Sequence, residues 1–175
     1  MAITLELEDL LTYTDWQRSL WLALLRKQQS DVLKIPSGPH GDGRLNTIGE
    51  IVRHIFSAER RYIERLSNEP LTDTSVIPAD DLEALFVFGA QSRAAFRSFL
   101  SHFPDEKLDV LQQHNIAGHA LRLTPRKILV HIAMHEVRHW AQIATLLRLQ
   151  GVKIGFQDFL FSPVFMHDEE KSTSA

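Results

Sequence analysis

The stretch from Thr124 to Gly151 limits what this chain can fold into more than any other. After Pro125 it holds neither glycine nor proline until Gly151, and apolar residues recur at helical spacing. Thr124 suits an N-cap, and Pro125 suits the first helical position, where a missing N–H costs nothing. Gly151 offers the stop, with Arg148 in the last turn to complement the carbonyl end of the dipole. The spacing predicts one helix of about seven turns.

That helix carries His131, His135, Glu136, His139 and Gln142. At about 100° per residue, with Ile128 at zero, Ile132, Ile143 and Leu146 define an apolar stripe. His135 then falls at about −20° and His139 at about +20°, within the stripe, whereas His131 falls at about −60° and Glu136 at about +80°, on its flanks. Two imidazoles one turn apart on a buried face need partners for their ring nitrogens. A shared metal ion supplies one, and an i,i+4 histidine pair suits its geometry. Carboxylates or water are the alternative partners. His131 and His139 lie about 12 Å apart along the axis, too far to share an ion.

Cysteine is absent, which excludes disulfides and thiolate ligands and leaves any metal to histidine and carboxylates. The net charge of −3 comes with dispersed basic residues, so no nucleic-acid footprint is expected. The opening MAITLELEDLL lacks a basic region followed by an apolar one, and no apolar run reaches membrane-spanning length. A cytoplasmic protein without a signal peptide is therefore expected. The length suits one domain, taken as residues 1–167, with a polar, disordered tail at 168–175.

Three further helices are predicted. The first runs from about Glu8 to Leu33, with Trp21 in the core, and ends before the Pro36–Gly43 breaker cluster. The second begins at a Thr47/Glu50 capping pattern and runs through Leu66. His54 sits at the margin of its stripe, and alone reads as a surface or a satisfied core residue. It gains interest because the His135/His139 pair lacks a third ligand. Arg53, Arg60, Arg61 and Arg65 read as a solvated face, and Glu59 as an exposed helix-pairing charge, with a partner behind the ligands as the alternative. The third spans about Ala79–His102, with Gly89 marking close packing. Between Pro104 and Leu123 a short hairpin around Gly118 fits, with His114 and His119 as loop residues. The fold class is thus all-α: a four-helix bundle, with metal sites built in its core from facing helices.

Tyr13 and Trp16 in the first helix, His54 in EIVRHIFSAE, and HIAMHEVRHWAQI followed by Leu-Leu-Arg and Gly151 together resemble the DinB/YfiT-like metalloenzymes. The resemblance covers most of residues 7–151 and is most specific in the fourth helix. It implies a four-helix bundle with crossover connections. It implies a divalent ion, Zn or Ni, held by His54, His135 and His139. It also implies a homodimer and a small thiol as cofactor, used against an electrophilic substrate, since characterised relatives are thiol-dependent S-transferases and a mycothiol-dependent isomerase. Trp16 and Gln142 are the expected cofactor-binding residues. Trp140 is bulkier than the family's commoner residue and is expected to alter the pocket or interface.

A competing reading exists. His135-Glu136-Val137-Arg138-His139 matches HExxH, the zincin motif, with Glu136 as general base. The metzincin extension fails at Gln142 and Thr145. Glu136, off the stripe, reads instead as a surface charge or a group behind the ligands. A pocket lined by Trp16 and third-helix phenylalanines would favour an enzyme; a metal without access would favour a non-catalytic binding or stress-response module.

Overall fold

The computed structural model describes residues 4–28, 31–38, 45–116 and 118–166. Among these are four long helices, α1 (Leu7–Arg26), α2 (Ile48–Ser67), α3 (Leu82–His102) and α4 (Pro125–Leu149), and one antiparallel hairpin, β1 (Gln112–Ile116) with β2 (His119–Leu123). The molecule is mostly helical, but the two-stranded sheet keeps it from being purely so. The expected tail at 168–175 lies outside the described residues. No helix among the described residues is long and apolar enough to cross a membrane.

The helix ends follow local chemistry. Thr47 accepts from Glu50 N at 3.2 Å, and the Glu50 carboxylate reaches back to Asn46 N at 2.6 Å. Thr124 accepts from Lys127 N at 3.2 Å. Asp81 accepts from Ala84 N, which starts α3 three residues later than the breaker pattern suggests. Gly151 takes φ +77° and lets Val152 N bond the Leu147 carbonyl at 3.0 Å, closing α4.

The first helix is shorter than predicted. It stops at Arg26, because Lys27 N bonds the Leu24 and Leu25 carbonyls and the Gln28 side chain also bonds the Leu24 carbonyl at 3.1 Å. Those bonds satisfy the helix end locally, and a separate 3₁₀ turn at Val32–Lys34 follows.

Helix α2 packs on both α3 and α4, and α1 packs on the same two helices. Consecutive helices α1 and α2 are therefore not each other's main neighbours. One apolar cluster gathers Trp21, Ile51, Phe56, Leu85, Trp140 and Ile143. A second, towards the hairpin end, gathers Leu11, Ile63, Phe96, Ile128 and Ile132. Gly89 lets α3 approach α2: a Cβ there would sit 2.8 Å from the Phe56 ring. Trp140 stacks on Trp21 at 5.2 Å and is buried, so it shapes the core and not a pocket. The segment after α4 crosses α1, where Tyr13 Oη and Gln17 Nε2 both donate to the Gln157 carbonyl, at 2.9 and 3.1 Å.

Candidate metal centre

Helices α2 and α4 bring His54, His135 and His139 together. His54 Nε2 lies 3.1 Å from His135 Nε2, and His139 Nε2 lies 3.2 Å from His135 Nε2. One ligand atom from each of the three fits within 4.8 Å of the others. Imidazole nitrogens about 2.0–2.1 Å from one ion stand about 2.9–3.4 Å apart, for right-angled to tetrahedral bond angles. The two separations from His135 fall in that interval, and His54 and His139 present their ligand atoms within 4.8 Å of each other. Three convergent nitrogens with one lone pair each fit a divalent cation far better than they fit one another.

The tautomer at His139 can be assigned from its neighbours. Arg138 Nη2 lies 3.1 Å from His139 Nε2, and a guanidinium only donates, so Nε2 carries the lone pair. Nδ1–H then donates to Gln142 Oε1 at 3.0 Å. Gln142, an expected cofactor contact, thus orients the ring from behind. Burial pushes the His135 ring down to about 2, helped by His139, His54, His131 and Arg138. Its lone pair is therefore available across the whole neutral range.

A cavity of about 470 Å³ lies over the three histidines. His131 lines it, but does not belong to the triad of ligand atoms. The mouth carries Arg61 and Arg138, both exposed, and Arg65, half-buried. Reading Arg61 and Arg65 as a simple solvated face is thus corrected: they border the site. Trp16 does not line this cavity; it is half-buried and stacked on Tyr13 at 6.1 Å. Phe86 of α3 lines a separate pocket beside Arg18 and Arg93.

Behind the histidines lies a feature that the sequence reading missed. Each helix gives one charged side chain to a buried cluster: Arg18, Glu59, Arg93 and Glu136. Arg18 contacts Glu136 at 2.7 Å and Glu59 at 2.9 Å; Arg93 contacts Glu136 at 2.9 Å and Glu59 at 3.1 Å. Trp140 Nε1 adds a bond to Glu136 Oε1 at 3.0 Å. Burial drives the Glu136 carboxyl up, but Arg18 and Arg93 outweigh it and hold the group below the ordinary carboxylate range. Burial wins at Glu59, which is raised.

Glu59 and Glu136 are therefore not surface charges. The signal was present: Arg18 is spaced i+4 from Thr14 and i−3 from Trp21, and Glu59 i+4 from Ile55 and i−4 from Ile63, all buried. Nor does Glu136 line the cavity above the histidines, as a water-activating base would.

The DinB family model matches residues 1–170. The chain belongs to the DinB family. Comparison with curated proteins gave no match. For a DinB-family protein the histidine triad is consistent with metal binding, and it joins α2 to α4 at the positions that the sequence motifs single out.

Proposed function

We propose that this DinB-family protein is a metal-dependent transferase that uses a small thiol against an electrophilic substrate. The observation that carries the reading is the convergence of three imidazole Nε2 atoms at the floor of an open cavity. His54, His135 and His139 would hold the ion, a divalent cation that binds imidazole, with Zn or Ni proposed. An ion there lowers the pKa of a bound thiol and keeps it as the thiolate.

The chain's own residues do the rest. Gln142 keeps the His139 ring turned with Nε2 toward the site. The buried ion cluster fixes α2 and α4 relative to one another through Glu59 and Glu136. The cavity gives the histidines access from outside, which favours turnover over a closed binding module, although Trp16 and the third-helix phenylalanines expected of an enzyme pocket do not line it. Against a zincin-type hydrolase stands Glu136, whose oxygens accept from Arg18, Arg93 and Trp140.

The test is metal analysis after reloading with Zn or Ni, then a panel of small thiols with a generic electrophile such as a chlorodinitrobenzene. About one ion per chain and metal-dependent thioether formation are expected. Absence of a bound ion under every loading condition would remove the reading. Metal-dependent casein cleavage would install the hydrolase instead.

A further inference from the structure

We propose that the cavity over the histidines binds a carboxylic acid with an apolar body, its carboxylate met by Arg61, Arg65 and Arg138 and its apolar part lodged under the hairpin. Three guanidinium groups line this cavity and no Asp or Glu does. Arg18, Arg26, Arg60, Arg93, Arg97 and Arg126 each have a carboxylate partner, whereas Arg53, Arg122 and Arg148, which line neither this cavity nor the one beside it, have none among the described residues. Among the described residues no carboxylate lies within ion-pair distance of Arg61, Arg65 or Arg138, although Arg61 feels the Asp73 charge and Arg138 Nη2 meets His139 Nε2 at 3.1 Å.

Their placement is costly. Arg61 and Arg65 stand one turn apart on α2, where like charges repel. Arg65 Nη1 finds only the Arg61 carbonyl, at 3.3 Å, and its guanidinium lies 5.8 Å from the centre of the Tyr62 ring. Three neutral imidazoles would leave the ion's charge uncompensated as well. An anion relieves both, and a guanidinium fork matches a planar carboxylate with two parallel hydrogen bonds.

The apolar half has its own space. A second cavity, of about 370 Å³, shares Tyr62, Ile116 and His131 with the first. Leu121 and Leu123 of β2 and Ile128 of α4 line it. The two cavities adjoin at Tyr62 and His131, whose rings pack edge to face at 5.5 Å, and a ligand spanning both would cross there from the arginines to the hairpin. Taken with the transferase reading, on which this assignment of substrate class rests, the acid is the electrophile's class.

Calorimetric titration of hexanoate, 1-hexanol and acetate into metal-stripped and zinc-loaded full-length protein tests it, with zinc uptake measured on the same samples. Hexanoate should bind the stripped protein at least tenfold more tightly than either 1-hexanol or acetate. Arg61→Gln and Arg138→Gln, both at exposed positions, should each weaken hexanoate about tenfold. Leu121→Asp should erase its advantage over acetate. Hexanoate binding no tighter than 1-hexanol or acetate, or unaffected by both arginine variants, overturns the proposal. Arginine-dependent hexanoate binding without zinc uptake supports the acid site and sinks the transferase reading; zinc uptake without such binding sinks the acid site and leaves the metal site standing.

Discussion

Arg18 closes a two-point hydrogen bond on Glu136, Nε to Oε1 and Nη2 to Oε2, both at 2.7 Å and both buried. This pair ties α1 to α4, and Arg93 and Glu59 extend it to α3 and α2. Removing one member leaves an uncompensated charge in the core, which costs about 3–5 kcal/mol. Glu136→Gln should therefore lower unfolding stability by about 3 kcal/mol in urea, while metal content per folded chain stays unchanged. The double variant Arg18→Met/Glu136→Leu should lose less than the sum of its single variants. Additive losses would show that the two side chains act separately.

Ligand identity is tested by single alanine variants. His54→Ala, His135→Ala and His139→Ala should each strongly weaken zinc binding in a chromogenic competition assay. His131→Ala should retain most of it, since His131 lines the cavity outside the triad. The opposite pattern for His131 and His139 would refute the three-nitrogen geometry.

Gln142 acts through the His139 ring. Gln142→Ala should reduce zinc affinity about tenfold or more, the usual effect of losing such a partner. Gln142→Glu, which keeps an acceptor at the same reach, should restore it. An alanine variant with unaltered affinity would show that the ring needs no such support.

Acid should unfold the metal-free protein. His135 in the fold sits at about 2, against about 6.5 in an unfolded chain. The unfolded state binds the proton first, so this contribution is fully present above about pH 6.5 and declines progressively as pH falls toward the folded value. The slope from this one group is at most about 1.4 kcal/mol per pH unit. His135→Ala should flatten the curve between about pH 6 and 4; an unaltered slope would assign the acid sensitivity elsewhere.

Close approach of α3 to α2 depends on Gly89. A methyl group there meets the Phe56 ring inside van der Waals distance. Gly89→Ala should cost about 1–3 kcal/mol in spite of alanine's better helix propensity. Pairing it with Phe56→Leu should recover part of the loss. A neutral Gly89→Ala would mean that the helices separate freely.

Much of the architecture was legible because helix signals are local. Thr47, Thr124 and Gly151 mark ends through hydrogen bonds made within a few residues. The hairpin around Gly118 was legible too, though His114, buried, lies on β1 and His119 on β2, neither in a loop. The centre of the core was not. Residues of α4 buried in the fold span from about −20° to about +160° on the wheel that placed Ile128 at zero. Glu136, at about +80°, is near the middle of that arc, and His135 and His139 are near its edge. Hydrophobic patterning discounts charged residues, so it shifted the stripe away from Glu136 and toward the histidines. The edge position is what gives the histidines access to a cavity. Helical spacing could mark Arg18 and Glu59 as inward-facing, but the pairing of a charge cluster assembled from four helices leaves no local pattern, because its partners are 34 to 118 residues apart.

The 3.1 Å meeting of His54 and His135 joins positions 81 residues apart in a chain without cysteine. An ion gripping both acts as a reversible crosslink. For a covalent link, a loop of that size removes about 4.5 kcal/mol of chain entropy from the unfolded state. Metal supply would then govern how long the protein survives as well as what it does, and a chelator would expose it to proteases before any substrate was involved.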